Sequence, residues 1–163
     1  MGFGAELLAV KWYVRCMNDP LSIVVCLPDG VAIFDPGSDV TASRDVDLVS
    51  EWQPDTAGVV GWSTGGWEAI KLAAEHPGLP RLAVVSLPFS QDELGSVDLS
   101  AVNAKTLLLY GSADEQTGLS HGTHWQRRLP DARLEMVPGG GHDLLVPKWP
   151  RILSHLAPRR KRS

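Results

Sequence analysis

The sequence predicts an α/β protein: a three-layer sandwich on a mostly parallel sheet, with an antiparallel meander at its N-terminal end. Three observations carry this. From residue 57 onward, short apolar runs alternate with segments of helical periodicity, the rhythm of βα units. The runs at 81–87 and 106–110 are apolar through their centres, with Leu82, Ala83, Val84 and Val85 in one and Leu107, Leu108 and Leu109 in the other. Strands covered by helices on both faces look like this. Ahead of residue 36, by contrast, the runs are separated only by Asn18-Asp19-Pro20 and Pro28-Asp29-Gly30. Such breaks are too brief for a parallel crossover.

Element by element, residues 10–16 are aromatic and β-branched enough for a first strand, 22–27 form a second and 31–35 a third. The Asp-Gly turn between the last two suits an antiparallel hairpin, and would send the 28–30 loop to the far edge of the sheet. A short helix is expected over 44–52, followed by a strand at 57–61. Residues 64–76 read as a helix whose apolar stripe is Trp67, Ile70, Ala73 and Ala74, ended by Pro77-Gly78. Strands at 81–87 and 106–110, a short helix at 123–128, a strand at 134–137 and a helix at 149–156 complete the pattern. Residues 1–158 are expected to form a single domain, and 159–163 a basic tail.

Composition narrows the function classes. A chain of 163 residues has room for one core, and 44% hydrophobic with 21% charged residues is a soluble globular balance. The net charge of −4 argues against a nucleic-acid surface. Arg159-Arg160-Lys161-Arg162 is the exception, read as a solvated terminus. No run approaches the roughly 18 apolar residues of a membrane helix, and no secretory pattern opens the chain, so no membrane partner is expected. Cys16 and Cys26 lie in apolar strand-like runs and read as free, buried thiols of a reducing compartment, with the cytoplasm as the expected location.

The chemistry gathers in three stretches. Gly61-Trp62-Ser63-Thr64-Gly65 follows one strand and precedes a helix, so a sharp turn between small residues would lift the Ser63 hydroxyl above the sheet edge. Asp114 follows the strand at 106–110, and His142 follows the last strand after Gly139-Gly140-Gly141. In open parallel sheets, sites form beyond the carboxyl ends of the strands, where all three would project. Serine is a poor nucleophile at neutral pH without a base, and the base needs a third group to hold its tautomer. Ser63 would attack, His142 would carry the proton and Asp114 would orient His142. Asp92, Glu93, Asp98 and Glu115 are alternative acids, and His121, His124 and His155 alternative histidines. The i,i+3 pair His121 and His124 suggests a metal pair on a helix but lacks a fitting third ligand, so it reads as a solvated face. For an oxyanion hole, Thr64 would offer one backbone N–H. A loop after the third strand would offer another from Gly37 or Ser38, since Pro36 has none.

With those residues in view, the chain resembles the α/β-hydrolases. Gly61-Trp62-Ser63-Thr64-Gly65-Gly66-Trp67 is similar to the elbow of the carboxylesterases that include the pimeloyl-carrier-protein methyl ester esterase. Ala73-Ala74-Glu75-His76-Pro77, the stretch 105–114 and the stretch 137–142 continue the likeness, which runs over about residues 31–156. The resemblance implies Ser63 as nucleophile, Asp114 as acid, His142 as base and a hydrolysis that needs no cofactor. Two departures stand out. Asp35-Pro36-Gly37 occupies the place of that family's His-Gly, and the 88–104 connection is too short for a helical cap. The fold is therefore expected to be reduced and capless, with an open pocket lined by Trp62, Trp67, Phe89 and Leu145, each of which could instead be core filling. The expected function is cofactor-independent hydrolysis of a small-molecule carboxylic ester. A thioesterase or lactonase with the same residues, and a non-catalytic interaction protein, are the alternatives.

Overall fold

The computed structural model describes residues 20–29, 46–90, 93 and 95–158. Its elements run β1 (Leu21–Cys26), β2 (Val46–Val49), β3 (Gly58–Trp62), α1 (Gly65–Glu75), β4 (Arg81–Val85), a short 3₁₀ helix (Leu99–Ala101), β5 (Lys105–Gly111), α2 (Leu119–Arg128), β6 (Ala132–Val137) and α3 (Trp149–Leu156). The six described strands form one sheet in the order β2-β1-β3-β4-β5-β6. Every pairing between them is parallel.

Apolar runs become buried strands here because alternate residues serve opposite faces. Val59, Leu82, Val84, Leu108 and Tyr110 face a core shared with Trp67 and Ile70 of α1 and Trp125 of α2. Val60, Ala83, Val85, Leu107 and Leu109 face a second core closed by Trp149, Ile152, Leu153 and Leu156 of α3. Among the described residues, two helices on one face and one on the other make the three layers. Among the described residues between β4 and β5, Glu93 is helical and Leu99–Ala101 form the 3₁₀ turn, a short connection in keeping with a capless, reduced α/β-hydrolase fold.

Two expectations need correction. The helix expected over 44–52 is replaced by β2. Val46, Leu48 and Val49 favour a strand, and Val46 is buried while Asp47 is exposed, an alternation of period two. Leu21 to Val24 of β1 supply the partner ladder. Trp52, expected within that helix, stacks on His76 beyond α1 with ring centroids 3.8 Å apart.

The loop after β1 was expected at the far edge of the sheet. However, β1 runs parallel to β3, with Cys26 opposite Gly61, so Leu27, Pro28 and Asp29 leave the sheet on the edge where Ser63 lies. Long connections elsewhere supply the crossovers that the short 28–30 break could not. The segments 10–16 and 31–35, with the antiparallel pairings expected of them, lie outside the described residues, as do Cys16, Gly37, Ser38 and the tail 159–163.

Candidate active site

Ser63 sits between β3 and α1 with φ 52°, in the left-handed region that β-carbon-bearing residues seldom occupy. Its N–H donates to Val85 O at 2.8 Å, which ties the turn to β4. Glycine is required on both sides by close approach. A Cβ on Gly61 would come within 2.6 Å of Gly66 Cα, and one on Gly65 within 2.4 Å of Cys26 O. The G-x-S-x-G spacing is thus a packing requirement of α1 descending against β1 and β3.

Asp114 sits beyond β5 and is held by its own turn. Its Oδ1 accepts from Gln116 N–H at 2.8 Å and Thr117 N–H at 3.3 Å, and its Oδ2 accepts from the Thr117 hydroxyl. Burial alone would raise its pKa, but the bonds from Thr117, His142 and Gln116 outweigh that and hold the carboxyl below its ordinary value. The side chain is wholly inaccessible, whereas that of His142 remains 18% exposed, so the acid is dry and the imidazole borders the opening.

His142 joins the two. Its Nδ1 lies 2.9 Å from Asp114 Oδ2 and its Nε2 2.8 Å from Ser63 Oγ. An ionised carboxylate only accepts, so Nδ1 carries the hydrogen and the neutral ring presents a bare Nε2 to the serine hydroxyl. The loop before it is anchored to the acid's side of the sheet. Gly139 N–H donates to Ser112 Oγ at 2.7 Å, and Ala113 N–H to Gly140 O at 2.9 Å.

The alternative residues are engaged elsewhere. His121 Nδ1 accepts from Phe89 N–H at 2.8 Å, and His124 packs on the Phe89 ring. Burial, together with the charges of Arg128, His121 and Arg127, lowers the His124 pKa. His155 Nε2 lies 3.0 Å from both Leu82 O and Lys105 O on α3. Asp98 caps the 3₁₀ helix through Ser100, while Glu93 and Glu115 are exposed. Asp92 lies outside the described residues. Among the described residues no group of three His, Cys, Asp or Glu side chains could hold a metal ion.

Of the expected pocket residues, Trp67 is core, set edge-on against Trp125, and Leu145 is buried in the second core. Phe89 belongs with α2, where the Arg128 guanidinium lies 5.8 Å from its ring centre. Trp62 borders the site but turns into the histidine loop, donating from Nε1 to His142 O at 2.9 Å. That contact spans 80 residues, and no local motif announces it. Thr117 is a residue the sequence reading passed over. Its signal was an Asp with Thr three residues on, a common side-chain turn. Thr64 is exposed at the N-cap of α1, where Gly66 N–H donates to Ser63 O at 3.0 Å and Trp67 N–H to Thr64 O at 3.3 Å. Cys26 is a free thiol that burial, reinforced by Glu68, pushes up to about 12, which keeps it protonated.

A parallel sheet with a serine on the strand-to-helix turn, an acid beyond a later strand and a histidine beyond the last is the arrangement of the α/β-hydrolase fold. Solved structures agree. An α/β-hydrolase enzyme from the metagenome of Mar Chica lagoon sediments, Morocco, is 15% identical with a TM-score of 0.64, the match covering 85% of this chain and 89% of that one. A predicted CIB-like hydrolase from Thermoplasma acidophilum is 17% identical at 0.65, covering 83% and 85%. A Paleococcus ferrophilus monoacylglycerol lipase is 12% identical at 0.68, covering 86% and 96%. At these identities the likeness is one of fold. No family model and no curated protein matches the sequence.

Proposed function

We propose that the protein is a cofactor-independent serine hydrolase that cleaves carboxylic esters. The observation that carries this reading is the unbroken chain from Ser63 Oγ through both nitrogens of His142 to Asp114 Oδ2. His142 Nε2 takes the Ser63 proton as Oγ attacks the ester carbonyl, and Asp114 stabilises the imidazolium that forms. The developing oxyanion is met by Thr64 N–H and by a donor from the segment after β1. Leu27 and Asp29 carry N–H groups there, and Pro28 carries none. His142 then protonates the departing alcohol. Water, deprotonated by the same nitrogen, attacks the acyl-Ser63 ester; His142 returns that proton to Ser63 Oγ as the acyl–oxygen bond breaks and the acid leaves.

Several features support an ester substrate of modest size. The elbow sequence 61–67 is similar to that of carboxylesterases, no helical domain covers the site among the described residues, and the imidazole edge is solvent-accessible. Thioesters and lactones are chemically close, and a substrate panel separates them. No helix of the described residues is long and apolar enough to cross a membrane, in keeping with a small-molecule substrate.

The deciding experiment is fluorophosphonate labelling with peptide mapping, alongside turnover of p-nitrophenyl acetate and butyrate. Stoichiometric label on Ser63, lost in Ser63→Ala and His142→Ala, is the expected result. Folded protein that takes no label and hydrolyses no ester faster than Ser63→Ala would overturn the reading in favour of a non-catalytic interaction protein.

A further inference from the structure

Resting on that serine-hydrolase reading, we propose that Trp62 is a positioning residue that sets where His142 stands relative to Ser63. The three glycines before His142 leave its backbone unusually free, and Gly139 has φ +67°. The ties on this loop divide unequally. Gly139 to Ser112 and Gly140 to Ala113 fix it to the end of β5, which is the Asp114 side. Leu144 N–H to His142 O, at 3.2 Å, is local and fixes nothing outside the loop. The Trp62 indole runs the other way. It joins the His142 carbonyl to the residue immediately before Ser63, and the two rings also touch, with centroids 5.5 Å apart and tilted by 51°.

The reaction makes this tie matter. The Ser63–His142 hydrogen bond is consumed when the proton moves, so it cannot hold the imidazole through the step it serves. The indole bond involves a main-chain oxygen and persists throughout. An error of about 1 Å in such a pair costs on the order of a hundredfold in rate, so a fixed backbone anchor is worth having beside a glycine-rich loop. Packing alone would give Trp62 a different role, since it also lies against the second core. Trp62→Phe separates the two roles because it keeps an aromatic ring and removes the N–H.

The test compares Trp62→Phe with Trp125→Phe. Trp125 is fully buried, and among the described residues its indole nitrogen has no hydrogen-bond partner, so the same exchange there removes no hydrogen bond found among them. Three quantities are read: the rate of fluorophosphonate labelling at Ser63, kcat and KM for p-nitrophenyl butyrate, and the thermal midpoint. In Trp62→Phe the labelling rate and kcat should fall about tenfold, the weight of one hydrogen bond, with KM within about twofold of wild type. Trp125→Phe should label at the wild-type rate even if it melts earlier. Histidine-selective 15N spectra give a readout independent of activity: the His142 ring signal should broaden or shift in Trp62→Phe and stay in place in Trp125→Phe. Wild-type protein that takes no label defeats the hydrolase reading. An unchanged His142 signal, or kinetics that follow thermal stability equally in both variants, overturns the role of Trp62.

Discussion

Replacing Gly111 by alanine puts a methyl group where the histidine loop already lies. A Cβ built on Gly111 stands 2.1 Å from Gly140 O, 2.4 Å from Gly140 C and 2.5 Å from Gly141 O, whereas ordinary contact begins at 3.4 Å. All three obstacles are backbone, so no rotamer change relieves them, and the loop must retreat by about 1 Å. The Ala113 to Gly140 bond of 2.9 Å would be lost, and His142, one residue beyond Gly141, would be carried with the loop. Its links to Ser63 and Asp114 have no slack at 2.8 and 2.9 Å. A misplacement of about 1 Å corresponds to roughly a hundredfold loss of turnover. Overpacking at such a site costs about 1–3 kcal/mol of stability, which leaves most of the protein folded in buffer. Turnover of p-nitrophenyl butyrate and denaturant unfolding, measured on the same preparation, give both numbers. Gly78→Ala is the control, because no atom of the described residues lies within 4 Å of its built Cβ. Folded Gly111→Ala protein with wild-type turnover would refute the reasoning, since it would mean that the loop yields without moving the imidazole.

Two further predictions concern protons. The Asp114 carboxyl is held below its ordinary value in the folded state, so it contributes stability above about pH 4 that is lost on further acidification. Thr117→Val should raise the pH of the acid-unfolding midpoint and lower turnover, while Thr117→Ser should retain most of both; identical acid titrations for the valine and serine variants would count against this role. The pKa of His155 is lowered chiefly by burial, so its stabilising contribution is complete above about pH 6.5 and falls below that as the unfolded chain takes up the proton. The thermal midpoint of His155→Gln should therefore drop less than that of wild type between pH 7.5 and 5.5, and parallel curves would refute the assignment.

Much of this was legible because the signals were local. A strand buried on both faces shows itself as an apolar run, which is why β3, β4, β5 and β6 fall within a few residues of the stretches read from the sequence. The three residues brought together at the sheet edge were legible for a related reason. Each follows a strand, and parallel strands deliver their next residues to a common edge. What failed was non-local. Val46-Asp47-Leu48-Val49 is too short to declare itself, and only the open edge of β1 makes it a strand. The direction of β1 was inferred from the turn after it, but its partners in the sheet are β2 and β3, which lie much further along the chain. Trp67 and Leu145 were indistinguishable from pocket walls in sequence, because burial against a core and burial against a ligand demand the same side chains. The bond from Trp62 to His142 depends on an orientation that composition does not encode.

The placement of α3 has a consequence for synthesis. One face of the central strands is covered by Trp149, Ile152, Leu153 and Leu156, and a Cβ on Gly58 of β3 would already press on Leu156 at 3.1 Å. These residues leave the ribosome long after β1, β3, β4 and β5. At roughly 5–20 residues per second, Ile23, Val60, Ala83 and Leu107 wait several seconds for the α3 side chains that share their core. Slow codons or a stop placed ahead of residue 149 would lengthen the wait or make it permanent. Among the described residues, α3 is therefore the last element whose arrival completes this core.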